Sequence, residues 1–214
     1  MLVCPTDNIL ITIEKKHQDM VNGLYVDTMH HPEDHVTITG KVVSLPKSIT
    51  NRIDYKGYVT AGILPGDTVI FRYDVVFHYS KQVENEAFTH KYELFYKGQS
   101  FWKLNIVKCF AYIRDGQINM VNGYVMLEEP KEEPTNLYVP HYLVSLPRTT
   151  CATVMHIGTP LEYVKPISVS PDDTVYFDSK IAQHYQINGK KFIILKQSHI
   201  LGKEEGINTV LRAV

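Results

Sequence analysis

Asp172 to Leu201, DDTVYFDSKIAQHYQINGKKFIILKQSHIL, repeats in its first half a pattern already present at Gly66 to Tyr79, GDTVIFRYDVVFHY. Both copies read D-T-V-x-F and, after six intervening residues, H-Y. Asp67, Thr68, Val69, Phe71, His78 and Tyr79 stand against Asp173, Thr174, Val175, Phe177, His184 and Tyr185, at a constant separation of 106 residues. That separation is too long for a solenoid repeat and fits a small domain. Two further landmarks keep the same order. Asn22-Gly23-Leu24-Tyr25-Val26 answers Asn136-Leu137-Tyr138-Val139 at a separation of 113, and GKVVSLP (Gly40–Pro46) answers ATVMHIG (Ala152–Gly158) at 112. Insertions in loops shift an offset slowly, whereas chance matches scatter. The sequence therefore predicts an internally duplicated chain with a boundary near residue 115, one unit spanning 1–115 and the other 116–214.

The local patterns are those of strands. Asn8 to Glu14, NILITIE, alternates around β-branched residues after the turn-like Pro5-Thr6-Asp7, and Thr37 to Leu45 runs as a strand into Pro46. Leu64-Pro65-Gly66-Asp67 is a tight-turn signal that feeds a strand over Thr68 to Tyr73. Val75–Tyr79, Tyr92–Tyr96 and Phe101–Ile113 are rich in aromatic and β-branched residues and read as further strands. Asp115-Gly116 marks a turn. In the second unit the expected strands are Tyr124–Leu127, Thr149–Ile157, Thr174–Phe177, Ile181–Gln186 and Phe192–Gln197, with a hairpin at Asn188-Gly189. No segment has the 3.6-residue period of a long amphipathic helix. Many short strands with frequent turns predict an all-β chain of two tandem small barrels, because closure removes exposed strand edges.

Composition narrows the function classes. The 214 residues carry a formal charge of −1, with Lys and Arg spread along the chain, so the basic footprint of a nucleic-acid or anionic-membrane binder is missing. Cys4, Cys109 and Cys151 share no close spacing, which argues against a disulfide framework and for a reducing compartment. The opening MLVCPTDNIL lacks a basic stretch followed by an apolar run, and no stretch approaches the roughly 18 apolar residues of a membrane span. A cytoplasmic protein is the expectation.

The motifs resemble those of the ten-kilodalton co-chaperonins of the GroES family. Ser170 to Phe177, SPDDTVYF, is similar to that family's V-G-D-x-V-x-F turn and strand, with Asp172 in place of the usual glycine. Phe192 to Leu201, FIILKQSHIL, resembles its closing V-L-I-x-x-x-S-D-I-L segment. In the first unit Pro5–Lys15 resembles the opening P-L-x-D-R-V-[IL]-V-x strand, and Gly40–Leu45 the G-x-V-[LV]-x-V-G strand. Relative to the family, residues 80–103 contain an insertion. The resemblance implies two GroES-like barrels in tandem and a large ring chaperonin of the GroEL type as partner. In that family the segment between the first two strands is a mobile loop whose apolar tripeptide docks on the chaperonin. Gly23, Leu24, Tyr25 and Val26 sit at that position in the first unit, and Leu137, Tyr138 and Val139 in the second, where Tyr142-Leu143-Val144 is a rival. Read without the resemblance, each apolar island is either a short buried strand or an exposed hook. The family also pairs its end strands between neighbours, which implies a homo-oligomer. The short link Ile113–Ile118 would let such a pairing form within one chain, leaving Asn8–Glu14 and the last strand to pair between chains.

Catalytic signals are weak. No G-x-S-x-G, P-loop or G-x-G-x-x-G occurs. His30, His31 and His35 lie around Glu33 and Asp34, but on a loop their spacing fixes no metal geometry. His78-Tyr79 and His184-Tyr185 read as packing pairs, and Glu128, Glu129, Glu132 and Glu133 as a solvated turn. The expectation is a co-chaperonin that caps a large chaperonin and assists protein folding, with no catalysis, cofactor or metal of its own. The alternative is an oligomeric structural or assembly protein, as of a virus, built on the same barrels with no chaperonin partner.

Overall fold

The computed structural model describes residues 7–14, 20–21, 24–25, 37–49, 62–76, 93–128, 149–161, 166–187 and 189–204. These form strands, with 3₁₀ turns at Tyr73–Val75, Ile106–Lys108, Ser179–Ile181 and Gln197–His199. The first sheet contains β1 (Asn8–Thr12), β4 (Thr39–Ser44), β5 (Thr68–Phe71), β6 (Glu93–Tyr96), β7 (Gln99–Asn105), β8 (Cys109–Arg114) and β9 (Gln117–Met120). Between β1 and β4 lie β2 (Met20–Val21) and β3 (Leu24–Tyr25), which among the described residues pair only with each other. The second sheet contains β10 (Tyr124–Glu128), β11 (Thr149–Ile157), β12 (Thr174–Asp178), β13 (Gln183–Ile187), β14 (Lys190–Lys196) and β15 (Ile200–Glu204). All pairings are antiparallel, and the architecture is two tandem GroES-like small β-barrels.

The strand orders are β6-β7-β1-β4-β5-β8-β9 and β13-β14-β10-β11-β12-β15. With β9 set aside, each strand of the first sheet has a counterpart in the second, and the correspondence extends to register. β1 and β4 slip by one residue between Leu10 and Ile11, and β10 and β11 slip between Met126 and Leu127. β5 and β8 slip at Ile70/Phe71, and β12 and β15 at Tyr176/Phe177. Such bulges bend a strand and raise its twist, which is how a small sheet curls around a core.

The turn before β5 shows why the sequence repeats there. Gly66 has φ +97°, and Asp67 accepts the Leu64 N–H on its carboxylate at 2.7 Å. In the second unit Asp172 has φ +72°, and Asp173 accepts the Ser170 N–H at 2.8 Å. Both aspartates are buried, and both are met by a cation: Arg114 forks onto Asp67 at 2.9 and 2.6 Å, while Lys203 reaches Asp173 at 3.2 Å. The Arg114 hydrogen bonds hold the Asp67 carboxyl below the usual carboxylate range.

Each sheet has its own core. Ile9, Ile11, Val69, Phe71, Trp102 and Leu104 anchor the first, and Val125, Leu127, Val175, Phe177, Ile193 and Leu195 the second. A third cluster joins them. Ile70, Phe110, Ala111 and Met120 from the first sheet pack with Met126, Tyr185, Phe192 and Ile194 from the second. The Phe110 ring meets Tyr124 edge-on at 4.8 Å and Tyr185 at 5.4 Å. The Tyr124 hydroxyl donates to the Val107 carbonyl at 2.9 Å.

The structure corrects several expectations. β1 is hydrogen-bonded on both sides, to β4 and β7, so it is no free edge. The reason is that the β6–β7 hairpin returns to cover it. Phe101–Ile113 is two strands, because Ile106–Lys108 forms a 3₁₀ turn capped by the Asn105 side chain; Gln197–His199 likewise divides the closing segment. Val75 lies in the 3₁₀ turn Tyr73–Val75 rather than a strand, and Ile181 in the turn Ser179–Ile181. The counterpart of β13 is β6, so the residue answering Tyr185 is Leu94, not Tyr79, and the extra length of the first unit falls between Val76 and Glu93. His184 is exposed while Tyr185 is buried, so the two do not form a packing pair.

Candidate partner-docking site

The two loops singled out from sequence leave the fold at equivalent points. Residues 13–38 connect β1 to β4, and residues 129–148 connect β10 to β11; in both cases the flanking strands are direct neighbours that carry the same bulge. A long excursion between adjacent antiparallel strands needs no crossover, so its ends are held close together.

Leu24 and Tyr25 form β3, with Val21 opposite Leu24 and Met20 opposite Tyr25. Among the described residues this ladder has no hydrogen-bonded neighbour in either large sheet. Gly23 and Val26 lie outside the described residues, as do Leu137, Tyr138, Val139 and the rival Tyr142-Leu143-Val144. So do His30, His31, His35, His78, Tyr79 and Cys4, together with Glu129, Glu132 and Glu133. Glu128 is exposed at the end of β10.

The frame behind the loops is closely packed. Gly40 on β4 faces the core so closely that a Cβ there would meet the Ile11 Cδ1 at 2.9 Å and the Thr12 carbonyl oxygen at 3.0 Å. In the second unit Ala152 takes the corresponding place opposite Val175, as Gly40 stands opposite Val69. At the far end of β11, Gly158 approaches the Met120–Val121 backbone, its N–H donates to Tyr124 O at 2.8 Å, and its carbonyl accepts from the buried Gln197 side chain.

Reactive groups do not converge. Cys109 is fully buried, and desolvation pushes its thiol up to about 12, so it is a core residue rather than a nucleophile. Cys151 is exposed on β11. Burial lowers the His156 and His199 values, but among the described residues no three His, Cys, Asp or Glu side chains gather as a metal site would require. No helix among them is long and apolar enough to cross a membrane.

What sequence reasoning missed is the cluster between the sheets. Its signal lay in Tyr124 to Leu127, YVML, an unbroken apolar run whose residues are all buried. A strand covered on one face alternates, whereas one covered on both faces reads as a continuous apolar run.

A family model, the chaperonin 10 Kd subunit, matches residues 117–204, from the first residue of β9 to the last of β15. Residues 117–204 are thus similar to a co-chaperonin subunit, and the matched family is not one of enzymes. Among curated proteins no match is found.

Proposed function

We propose that this protein is a co-chaperonin built by tandem duplication, with units 1–115 and 116–214, that assembles into a homo-oligomer in the cytoplasm and caps a large ring chaperonin of the GroEL type, assisting protein folding without catalysis of its own. The carrying observation is the chaperonin 10 match over residues 117–204, extended to the first half by identical strand order and identical bulges. Gly23, Leu24, Tyr25 and Val26 in one loop and Leu137, Tyr138 and Val139 in the other are the docking residues of this reading.

Ordering a loop on docking costs roughly 1 to 2 kcal/mol per residue fixed, which burial of three apolar side chains only partly offsets. One loop alone binds weakly. Several loops held on one oligomer bind tightly through effective concentration. The test is capture of a large ring chaperonin with and without nucleotide. Leu24→Ser and Leu137→Ser are expected to leave the melting temperature unchanged while capture falls, with a more than additive loss in the double variant. Wild-type protein that captures no chaperonin in either nucleotide state would refute the reading and favour a purely structural assembly protein. A melting temperature lowered by several degrees in either variant would show a buried strand instead of a hook.

A further inference from the structure

The two sheets end in equivalent hairpins, β6–β7 and β13–β14, yet the outermost strands carry different residues. In β13, Tyr185 and Ile187 are buried, while His184 and Gln186 are exposed and polar. In β6 the counterpart of Gln186 is Phe95, which at 71 % is the most exposed large apolar side chain among the described residues. Leu94 and Tyr96 beside it, on the other face of the strand, are exposed as well. β6 stands at the end of its sheet, and among the described residues it pairs only with β7, in a ladder without a bulge. Edge strands are ordinarily blunted by proline, by a bulge or by charge, because open backbone groups beside apolar side chains recruit another strand. Between Glu93 and Lys97, β6 has none of these.

The hairpin fixes which backbone groups face outward. Lys97 and Gly98, at φ +50° and +79°, form a two-residue loop, so Tyr96 and Gln99 make a hydrogen-bonded pair and the pairs alternate from there. Phe95, opposite Ser100, therefore points its N–H and C=O away from β7. A second copy of β6 can add there antiparallel only in registers that set odd-numbered residues against odd-numbered ones. With Phe95 opposite Phe95 of the copy, every cross-strand pair is complementary. Glu93 meets Lys97 at both ends of the same face as the two phenylalanines, and Leu94 meets Tyr96 twice on the other face. A shift of two residues in either direction sets Phe95 against a charged side chain, Glu93 or Lys97, and leaves both ion pairs unmade.

We propose that β6 pairs with the β6 of a second copy across a two-fold axis at Phe95, so that the first sheets of two chains run on as one. Such a contact is isologous and closes on itself at two chains. The second unit lacks the pattern: its equivalent positions are His184, Gln186 and Asn188, with neither an apolar centre nor opposite charges at the ends. The pairing uses the edge of β6 alone, apart from the closing strand β15 and from the loops proposed to dock, and it needs no chaperonin. A strand of four residues buries less than the roughly 1,200 Å² of a stable interface, so single chains pair weakly and chains held together on one assembly pair firmly.

The test is disulfide capture in the full chain carrying Cys4→Ser and Cys151→Ser, with the buried Cys109 kept. Leu94, Phe95 or Tyr96 is replaced singly by cysteine, and glutathione disulfide takes up the two electrons released as two thiols join. Opposed Cα atoms of an antiparallel pair stand about 4.5 to 5.5 Å apart, inside the roughly 4.4 to 6.8 Å range of a disulfide, whereas diagonal neighbours lie about 7 to 8 Å apart. Phe95→Cys is expected to cross-link to itself at least about tenfold faster than the exposed Cys151 does in the Cys4→Ser chain, whose rate measures chance collision. Leu94→Cys and Tyr96→Cys stay uncoupled alone and cross-link when mixed. Adding Glu93→Lys slows the Phe95→Cys reaction, and adding Lys97→Glu to that variant restores it. All these side chains are at the surface, so far-UV circular dichroism is expected to match the parent. A Phe95→Cys chain that couples no faster than Cys151 would leave the edge to another occupant and overturn the proposal, as would Leu94→Cys coupling to itself or a charge swap that restores nothing. Covalent pairs are counted on denaturing gels and chaperonin capture separately, so either reading can fail without the other.

Discussion

Replacing Phe110 with alanine tests whether the sheets share one core. Phe110 is 1 % exposed, lies at the bulge of β8 and meets two tyrosine rings of the other sheet edge-on. Truncating a buried phenylalanine costs about 3 to 5 kcal/mol, and two edge-to-face contacts place this site toward the upper end. Leu201 is the internal control, since it holds the same register position at 63 % exposure. Leu201→Ala at dilutions where the chain is monomeric changes stability by no more than about 0.5 kcal/mol. The assay is urea unfolding followed two ways. Trp102, the only tryptophan, sits 2 % exposed in the first sheet's core and reports that sheet by fluorescence, while circular dichroism reports both. In the wild type the two transitions coincide; in Phe110→Ala the midpoint falls and the transitions separate, because the cluster that couples the sheets is broken. A cost below about 1 kcal/mol, with transitions still coincident, would refute a shared core.

Gly40→Ala places a Cβ against Ile11 and the Thr12 carbonyl and is expected to cost about 1 to 3 kcal/mol by overpacking, read as a lowered urea midpoint; Ala152→Gly, in the roomier counterpart, costs only about 0.5 to 1 kcal/mol through backbone entropy. Asp67 has its folded pKa depressed by Arg114, so its contribution is fully present above the unfolded value of about 3.9 and is lost as pH falls through the lower folded value. Asp67→Asn should therefore cost about 1.5 to 3 kcal/mol at pH 7 and much less in acid, and a cost independent of pH would contradict the ion pair. Asp172 holds φ +72° where the first unit has Gly66, so Asp172→Gly relieves left-handed strain and is expected to raise the melting temperature, by up to about 1 kcal/mol of stability.

The strands and turns were legible in sequence because their causes are local. Leu64-Pro65-Gly66-Asp67 makes its turn through a glycine that tolerates positive φ and an aspartate that caps a backbone N–H three residues away, and Asp115-Gly116 closes the β8–β9 hairpin with both residues at positive φ. The repeat was legible for the same reason: D-T-V-x-F pairs a capping aspartate with inward Val69 and Phe71, or Val175 and Phe177, wherever that turn feeds a core strand. The two loops proposed to dock were legible only as positions between particular strands. Which strands become neighbours was not, because period-two alternation shows that a strand has two faces without showing what covers either one. So β1, which reads as an edge, is central; His184-Tyr185, which matches His78-Tyr79 by letter, answers Glu93-Leu94 by register; and Phe110 and Leu201, in one register position, differ in burial from 1 % to 63 %. Burial of an outward face depends on apolar surface brought from a hundred residues away, and only the tertiary structure supplies that surface.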